Sequence, residues 1–197
     1  MVKVKFCGIK RIEDIDICNE LKSDYIGFVF YDKSKRYIKP IDAKVLKGNL
    51  DKNILAVGVF VNEEINKIVE IVNEGIIDLV QLHGDEDDEY IRHLKEKTKA
   101  PTIKALKILS KNDILEANES IADYVLLDSG AGTGITFDWE LIKGINRDYF
   151  LAGGLDANNV AEAIETLNPF AVDVSSGIET DGSKDRNKML TFIGKVR

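Results

Sequence analysis

Two side chains in this sequence are suited to moving protons and sit at equivalent places. Cys7 follows the alternating run VKVKF (2–6) and precedes Gly8, and Asp128 closes the run YVLLD (124–128). A thiol and a carboxyl on opposite sides of one substrate can serve as base and acid. Other polar residues also lie where a short apolar run ends. These are Gln81 and His83 in LVQLH, Gly153 and Gly154 in YFLAGG, and Asp173, Ser175, Ser176 and Gly177 in AVDVSSG. The loop YDKSKRYIKP adds Ser34, Lys35 and Arg36. The bodies of the runs are apolar and their ends polar, an asymmetry that favours an active site over a purely structural role.

Such residues need elements that bring the run ends together. Eight strand-like runs can be read, at 2–6, 25–30, 54–61, 79–83, 102–108, 124–128, 149–154 and 171–176. Amphipathic helical patterns separate them, at 12–21, 41 to about 48 with Pro40 suited to the first turn, 63–75, 88–97, 111–119, 139–145, 158–167 and 185–193. In the first helix Ile12, Ile15, Cys18 and Leu21 are expected on one inward face. Asp138 is expected to cap the helix that begins at Trp139. Strand alternating with helix throughout means parallel strands joined by crossovers. The expected fold class is therefore α/β, a single-domain closed (β/α)8 TIM barrel over residues 1–197. At roughly 25 residues per unit it is a lean one. An open doubly wound sheet is the alternative, but CGIKR is not a GxGxxG turn. No repeat beyond the β/α period is read.

Strand side chains alternate between faces, so parity assigns directions. Val2, Val4 and Phe6 should face the helices, and Lys3, Lys5 and Cys7 the barrel axis. In the last strand Val172 and Val174 face out, while Ala171, Asp173 and Ser175 face in. The first and last strands are neighbours in a closed barrel. An inward Lys5–Asp173 ion pair follows, because a buried lysine needs such a partner. Parity also turns Asp128 toward the axis, across the mouth from Cys7.

Composition narrows the partners. The chain has 197 residues, 44% hydrophobic and 31% charged, with a net charge of -7. No basic block is present, which disfavours nucleic acid. The two cysteines lack zinc or disulfide spacing. No run suggests a signal peptide or a membrane span, so a cytoplasmic protein is expected. The acidic run GDEDDE (84–89) reads as the start of a helix, where carboxylates complement the helix dipole, ahead of a metal site.

The segments KFCGIK, SKRYI, VGVFVN, VQLHG, LLDS, GTGITFDW, LAGGLDANNV, VDVSSGIE and GSKD occur in an order that resembles the phosphoribosylanthranilate isomerase family of tryptophan biosynthesis. The resemblance covers nearly the whole chain. It implies an Amadori rearrangement of N-(5′-phosphoribosyl)anthranilate, with no cofactor and no metal. Carried over by motif, Cys7 is the general base, Asp128 the general acid, and Arg36 holds the anthranilate carboxylate. The AGG and SSG segments, with Gly153, Gly154, Ser175, Ser176 and Gly177, bind the phosphate. His83 and Asp173 are candidate substrate contacts, each with a structural alternative. Lys5 is expected to favour the Cys7 thiolate, and burial to keep a proton on Asp128. After Asp128, Ala131 and Ile135 depart from the family pattern, and a compact loop is expected.

Two other functions compete. The related isomerase of histidine biosynthesis uses a carboxylate where Cys7 stands. A non-catalytic phosphosugar-binding barrel would not need both Cys7 and Asp128. The expected partner is a small phosphoribosyl substrate, in a monomer or a homodimer.

Overall fold

The computed structural model describes residues 1–128 and 139–197. Asp138, Ala131, Ile135 and the loop that holds them lie outside the described residues. The strands are β1 (Lys3–Cys7), β2 (Tyr25–Val29), β3 (Leu55–Phe60), β4 (Leu79–Leu82), β5 (Thr102–Lys107), β6 (Tyr124–Asp128), β7 (Tyr149–Ala152) and β8 (Ala171–Val174). Each pairs in parallel with the next, and β8 closes on β1. Helices α1 (Ile12–Leu21), α2 (Pro40–Gly48), α3 (Ile65–Asn73), α4 (Asp88–Lys97), α5 (Lys111–Glu119), α6 (Trp139–Ile142), α7 (Val160–Leu167) and α8 (Arg186–Val196) follow the strands in turn. No helix among the described residues is long and apolar enough to cross a membrane.

Local chemistry explains several element boundaries. Pro40 opens α2 at its first turn, where its missing N–H costs nothing. Asp185 caps α8 by accepting from the N–H groups of Asn187 and Lys188. Gly75 follows α3 with φ 69°, a left-handed conformation that ends the helix. Helix α6 is shorter than the pattern at 139–145 suggested. In α1 the expected inward face is corrected. Ile12 is exposed, while Asp14 is buried because it accepts from the backbone of Lys10 and Arg11 and pairs with the Arg11 guanidinium.

Parity holds through the barrel. Val4, Phe6, Val172, Val174 and Leu127 lie in the outer apolar layer beneath the helices. Tyr25, Val57, Leu79, Ile103, Leu126, Phe150 and Ala171 fill the barrel interior. Its floor is aromatic. The Tyr25 and Phe150 rings meet edge to face at 5.4 Å, Tyr124 stacks on Phe170 at 5.2 Å, and Lys3 Nζ lies 5.1 Å from the Phe170 centroid. Above the floor the inward residues become polar, and there the site begins.

One repeat joins neighbouring strands at this lower end. Asp24, Asp78 and Asp123 immediately precede β2, β4 and β6. Their carboxylates accept from the backbone N–H of Val4, Ala56 and Thr102, at 2.9, 2.7 and 2.7 Å. Each is also paired with a cation, respectively Arg197, Lys47 and Lys95. The same device thus ties β1 to β2, β3 to β4 and β5 to β6.

Candidate active site

The upper ends of the strands enclose a cavity of about 420 Å³. Cys7 from β1, Asp128 at the end of β6 and Arg36 from the loop after β2 all line it. So do His83, Gly153, Gly154, Asp173, Ser175 and Ser176. Gly177 stands just outside the lining, in the 3-10 turn Ser176–Ile178. A Cβ there would lie 2.1 Å from the Leu155 carbonyl oxygen, so this glycine lets the turn pack on the loop after β7.

The floor of the cavity is the expected ion pair. Lys5 Nζ donates to Asp173 Oδ1 at 2.9 Å, with side-chain exposures of 0% and 10%. Burial opposes the lysine charge, but the Asp173 carboxylate, which also accepts its hydrogen bond, outweighs burial and carries the Lys5 pKa above its ordinary value. The ammonium therefore persists beside the thiol. Its effect on Cys7 is smaller than expected. Burial dominates and pushes the Cys7 thiol up, with Asp173 adding to it, against the lowering influence of Lys5 and Lys184. The resting cysteine is a thiol.

Space for that thiol comes from β2. Cys7 is in register with Gly27, and a Cβ on Gly27 would stand 2.7 Å from Cys7 Sγ. Val29, Val59 and Tyr31 complete an apolar collar around the sulfur.

Across the mouth, His83 Nε2 lies 4.0 Å from Asp128 Oδ2. Gln81 Nε2 lies 3.0 Å from His83 Nδ1. Donation from the amide makes Nδ1 the acceptor and leaves the ring proton on Nε2, facing Asp128. Burial lowers the His83 pKa, against the raising effect of Asp128 and Asp173, so the ring is neutral near pH 7. The Asp128 side chain retains 34% exposure, more than the burial expected of it.

The loop that follows His83 is itself clamped. Glu86 accepts from the backbone N–H of Asn62 and of Gly84, at 2.7 and 2.9 Å, and pairs with buried Lys104 at 3.0 Å. This use of Glu86 answers the acidic run. Asp87 caps α4 through the Tyr90 N–H, and among the described residues no group of three acidic, His or Cys side chains is placed to hold a metal ion.

The phosphate candidates form two adjoining loops. Gly153 and Gly154 line the cavity with φ of 90° and 65°, a conformation that side chains resist. Ser175 Oγ donates to the Cys7 carbonyl at 3.0 Å, fixing the β8 end against the β1 end.

Two functional side chains were missed in the sequence. Beyond the 3-10 turn the chain forms a two-residue hairpin, β9 (Glu179–Thr180) with β10 (Ser183–Lys184). Asp181 and Gly182 turn it with φ of 50° and 76°. An Asp-Gly pair is the signal for such a turn and was available in TDGS. The hairpin aims Glu179 and Lys184 at the site. Arg36 Nε and Nη2 donate to Glu179 Oε1 and Oε2 at 2.7 and 2.8 Å. Lys184 Nζ donates to Glu179 Oε1 at 2.9 Å and to the Ser175 carbonyl at 3.0 Å. Burial of Glu179 is outweighed by these hydrogen bonds from Arg36 and Lys184, which bring its pKa from 4.5 to about 2.

Comparison with known proteins points the same way. The family model described as N-(5'phosphoribosyl)anthranilate (PRA) isomerase matches residues 4–195. A protein of Thermoanaerobacter sp. (strain X514), named N-(5'-phosphoribosyl)anthranilate isomerase, is 50% identical over 201 residues, covering 100% of this chain and 98% of the relative. The crystal structure of phosphoribosyl anthranilate isomerase from Thermotoga maritima superposes with a TM-score of 0.90 at 42% identity, over 99% of this chain and 98% of that one. Another structure of such an isomerase, solved in complex with reduced 1-(o-carboxyphenylamino)-1-deoxyribulose 5-phosphate, gives 0.88 at 41% identity, over 99% and 98% of the two chains.

Proposed function

The chain belongs to the N-(5'-phosphoribosyl)anthranilate isomerase family, and from that membership we propose how its residues divide the work of the reaction. The chain is an isomerase of tryptophan biosynthesis that converts N-(5′-phosphoribosyl)anthranilate to 1-(2-carboxyphenylamino)-1-deoxyribulose 5-phosphate. The observation that carries the division is the placement of Cys7 and Asp128 on β1 and β6, facing one cavity.

Asp128 protonates the ring oxygen of the ribose. The C1–O bond breaks, and the nitrogen lone pair forms an iminium ion at C1. That ion acidifies the proton on C2. The Cys7 thiolate removes it, giving an enolamine that tautomerises to the ketone. The two groups must stand on different sides of the sugar, as they do across the mouth. His83 donates its Nε2–H toward Asp128 and the opening ring, and Gln81 holds it in that tautomer. Lys5 and Lys184 favour the small thiolate fraction that reacts, although burial keeps most of the sulfur protonated.

The two ends of the substrate are anions and are held separately. Arg36 receives the anthranilate carboxylate, for which a planar guanidinium offers parallel N–H donors. The backbone at Gly153, Gly154, Ser175, Ser176 and Gly177 receives the phosphate, because glycine lets main-chain N–H groups approach it closely. Asp173 acts below the substrate, through Lys5. In a second groove, between α4 and α5, Lys104 is matched by Glu86, and the remaining Asp87, Asp88, Glu116 and Glu119 would repel a substrate with two anionic ends.

Turnover of freshly generated phosphoribosylanthranilate, followed by loss of its fluorescence, tests the assignment. Arg36→Met should raise KM with a smaller change in kcat, since Arg36 binds the substrate at a distance from the reacting carbons. An unchanged KM would remove Arg36 from its role.

A further inference from the structure

The Arg36 side chain enters the site already paired. Both oxygens of Glu179 are taken by its Nε and Nη2 atoms. Alone, that pair carries no net charge, and the glutamate would repel any second carboxylate brought to the same guanidinium. Lys184 changes the sum. Its ammonium sits on Glu179 Oε1, with side-chain exposures of 2% for the lysine and 8% for the glutamate. Arg36, Glu179 and Lys184 together carry one net positive charge.

Lys184 does not line the cavity. Its Nζ is spent on Glu179, on the Ser175 carbonyl and, at 3.4 Å, on Ser175 Oγ. The Arg11 guanidinium in turn holds the Lys184 carbonyl at 3.1 Å. A buried cation built in this way cannot touch a ligand and must act through its partners. The Arg36 stem is fixed as well, because it crosses Gly8 so closely that a Cβ there would lie 2.4 Å from Arg36 Cδ. With Nε and Nη2 engaged on Glu179, the Nη1 group remains for a ligand.

We propose that Lys184 is a specificity-determining positioning residue: by neutralising Glu179 it leaves Arg36 oriented and with net charge to offer the aromatic carboxylate of the substrate. The proposal rests on the reading in which Arg36 receives that carboxylate. It adds that carboxylate selectivity belongs to a charge triad spanning the loop after β2 and the hairpin after β8. Glu179 orients the guanidinium, and Lys184 cancels the electrostatic cost of that orientation.

The test compares two ligands by equilibrium titration, so that no step of the chemistry enters. One is reduced 1-(2-carboxyphenylamino)-1-deoxyribulose 5-phosphate, and the other is the same molecule without the ring carboxylate. Wild type should prefer the carboxylated ligand, and Arg36→Met should abolish the preference. Lys184→Gln, which keeps a donor but loses the charge, should cut the preference by roughly tenfold or more. The double variant Lys184→Gln with Glu179→Gln regains a net charge of one and should recover most of it. Equal weakening of both ligands in Lys184→Gln, with no recovery in the double variant, would make Lys184 merely structural and overturn the proposal. An undiminished preference in Lys184→Gln would overturn it too, while leaving the role of Arg36 intact. A wild type without any preference would instead refute the Arg36 reading, and the proposal with it.

Discussion

At the scale of single residues, the chemistry turns on a sulfur that its surroundings keep protonated. Burial raises the Cys7 pKa more than the nearby lysines lower it. A base with a raised pKa gains its active form as pH rises. Through the Cys7 thiolate, kcat/KM should therefore climb with pH through neutrality into the alkaline range. A rate independent of pH from 7 to 9, with chemistry limiting, would speak against the thiolate. Gly27 offers a second check. Gly27→Ala puts a methyl group 2.7 Å from Sγ, closer than contact allows, so the thiol must move, and displacement of a reacting group by about 1 Å can cost ~100-fold in rate. Steady-state kinetics should show kcat falling by about that factor with the fold intact by circular dichroism.

At the scale of elements, the two ends of the barrel carry different loads. The lower end is tied by the aspartates before β2, β4 and β6, and the upper end carries the chemistry, the division usual for this architecture. Asp123→Ala should remove the hydrogen bonds to the Thr102 N–H and hydroxyl and the pair with Lys95. Leaving those donors unmet costs about 1–3 kcal/mol. Urea unfolding should register that loss, and kcat should stay unchanged. Much of this organisation was legible. Strand parity placed Lys5 against Asp173 and turned Cys7 and Asp128 inward, because an eight-stranded parallel barrel allows one answer to which face is inside. What escaped was set by single residues outside the hydrophobic pattern. The Asp24, Asp78 and Asp123 repeat is visible as SDY, IDL and ADY, yet it carries no apolar period. Ile12 followed the helical period but lost its place to Asp14, whose backbone N–H donors at Lys10 and Arg11 decided burial. Glu179 and Lys184 lay inside quoted motifs, but only the Asp181-Gly182 turn brings them beneath Arg36.

At the scale of the whole molecule, a buried carboxylate of the site and a buried thiol of the core bound the pH range of the fold. Glu179 has a folded pKa of about 2 in place of 4.5. Its contribution is complete above the ordinary carboxylate value and is lost as pH falls toward 2. Cys18, on the buried face of α1, is shifted the other way. Burial moves it from 9.0 to about 12. Its contribution is complete below pH 9 and is lost as pH rises toward 12. Thermal unfolding should thus be most favourable to the fold between these limits, and Cys18→Ala should flatten the alkaline decline while leaving the acid decline in place.

The most direct test of the account is turnover of freshly generated phosphoribosylanthranilate by wild type, Cys7→Ala and Asp128→Ala, followed through the loss of substrate fluorescence. If the thiol and the carboxyl are base and acid, wild type turns over and each variant loses kcat by about 10²–10⁴-fold. Near wild-type kcat in Cys7→Ala would show that the proton on C2 leaves to another group, and would contradict the account.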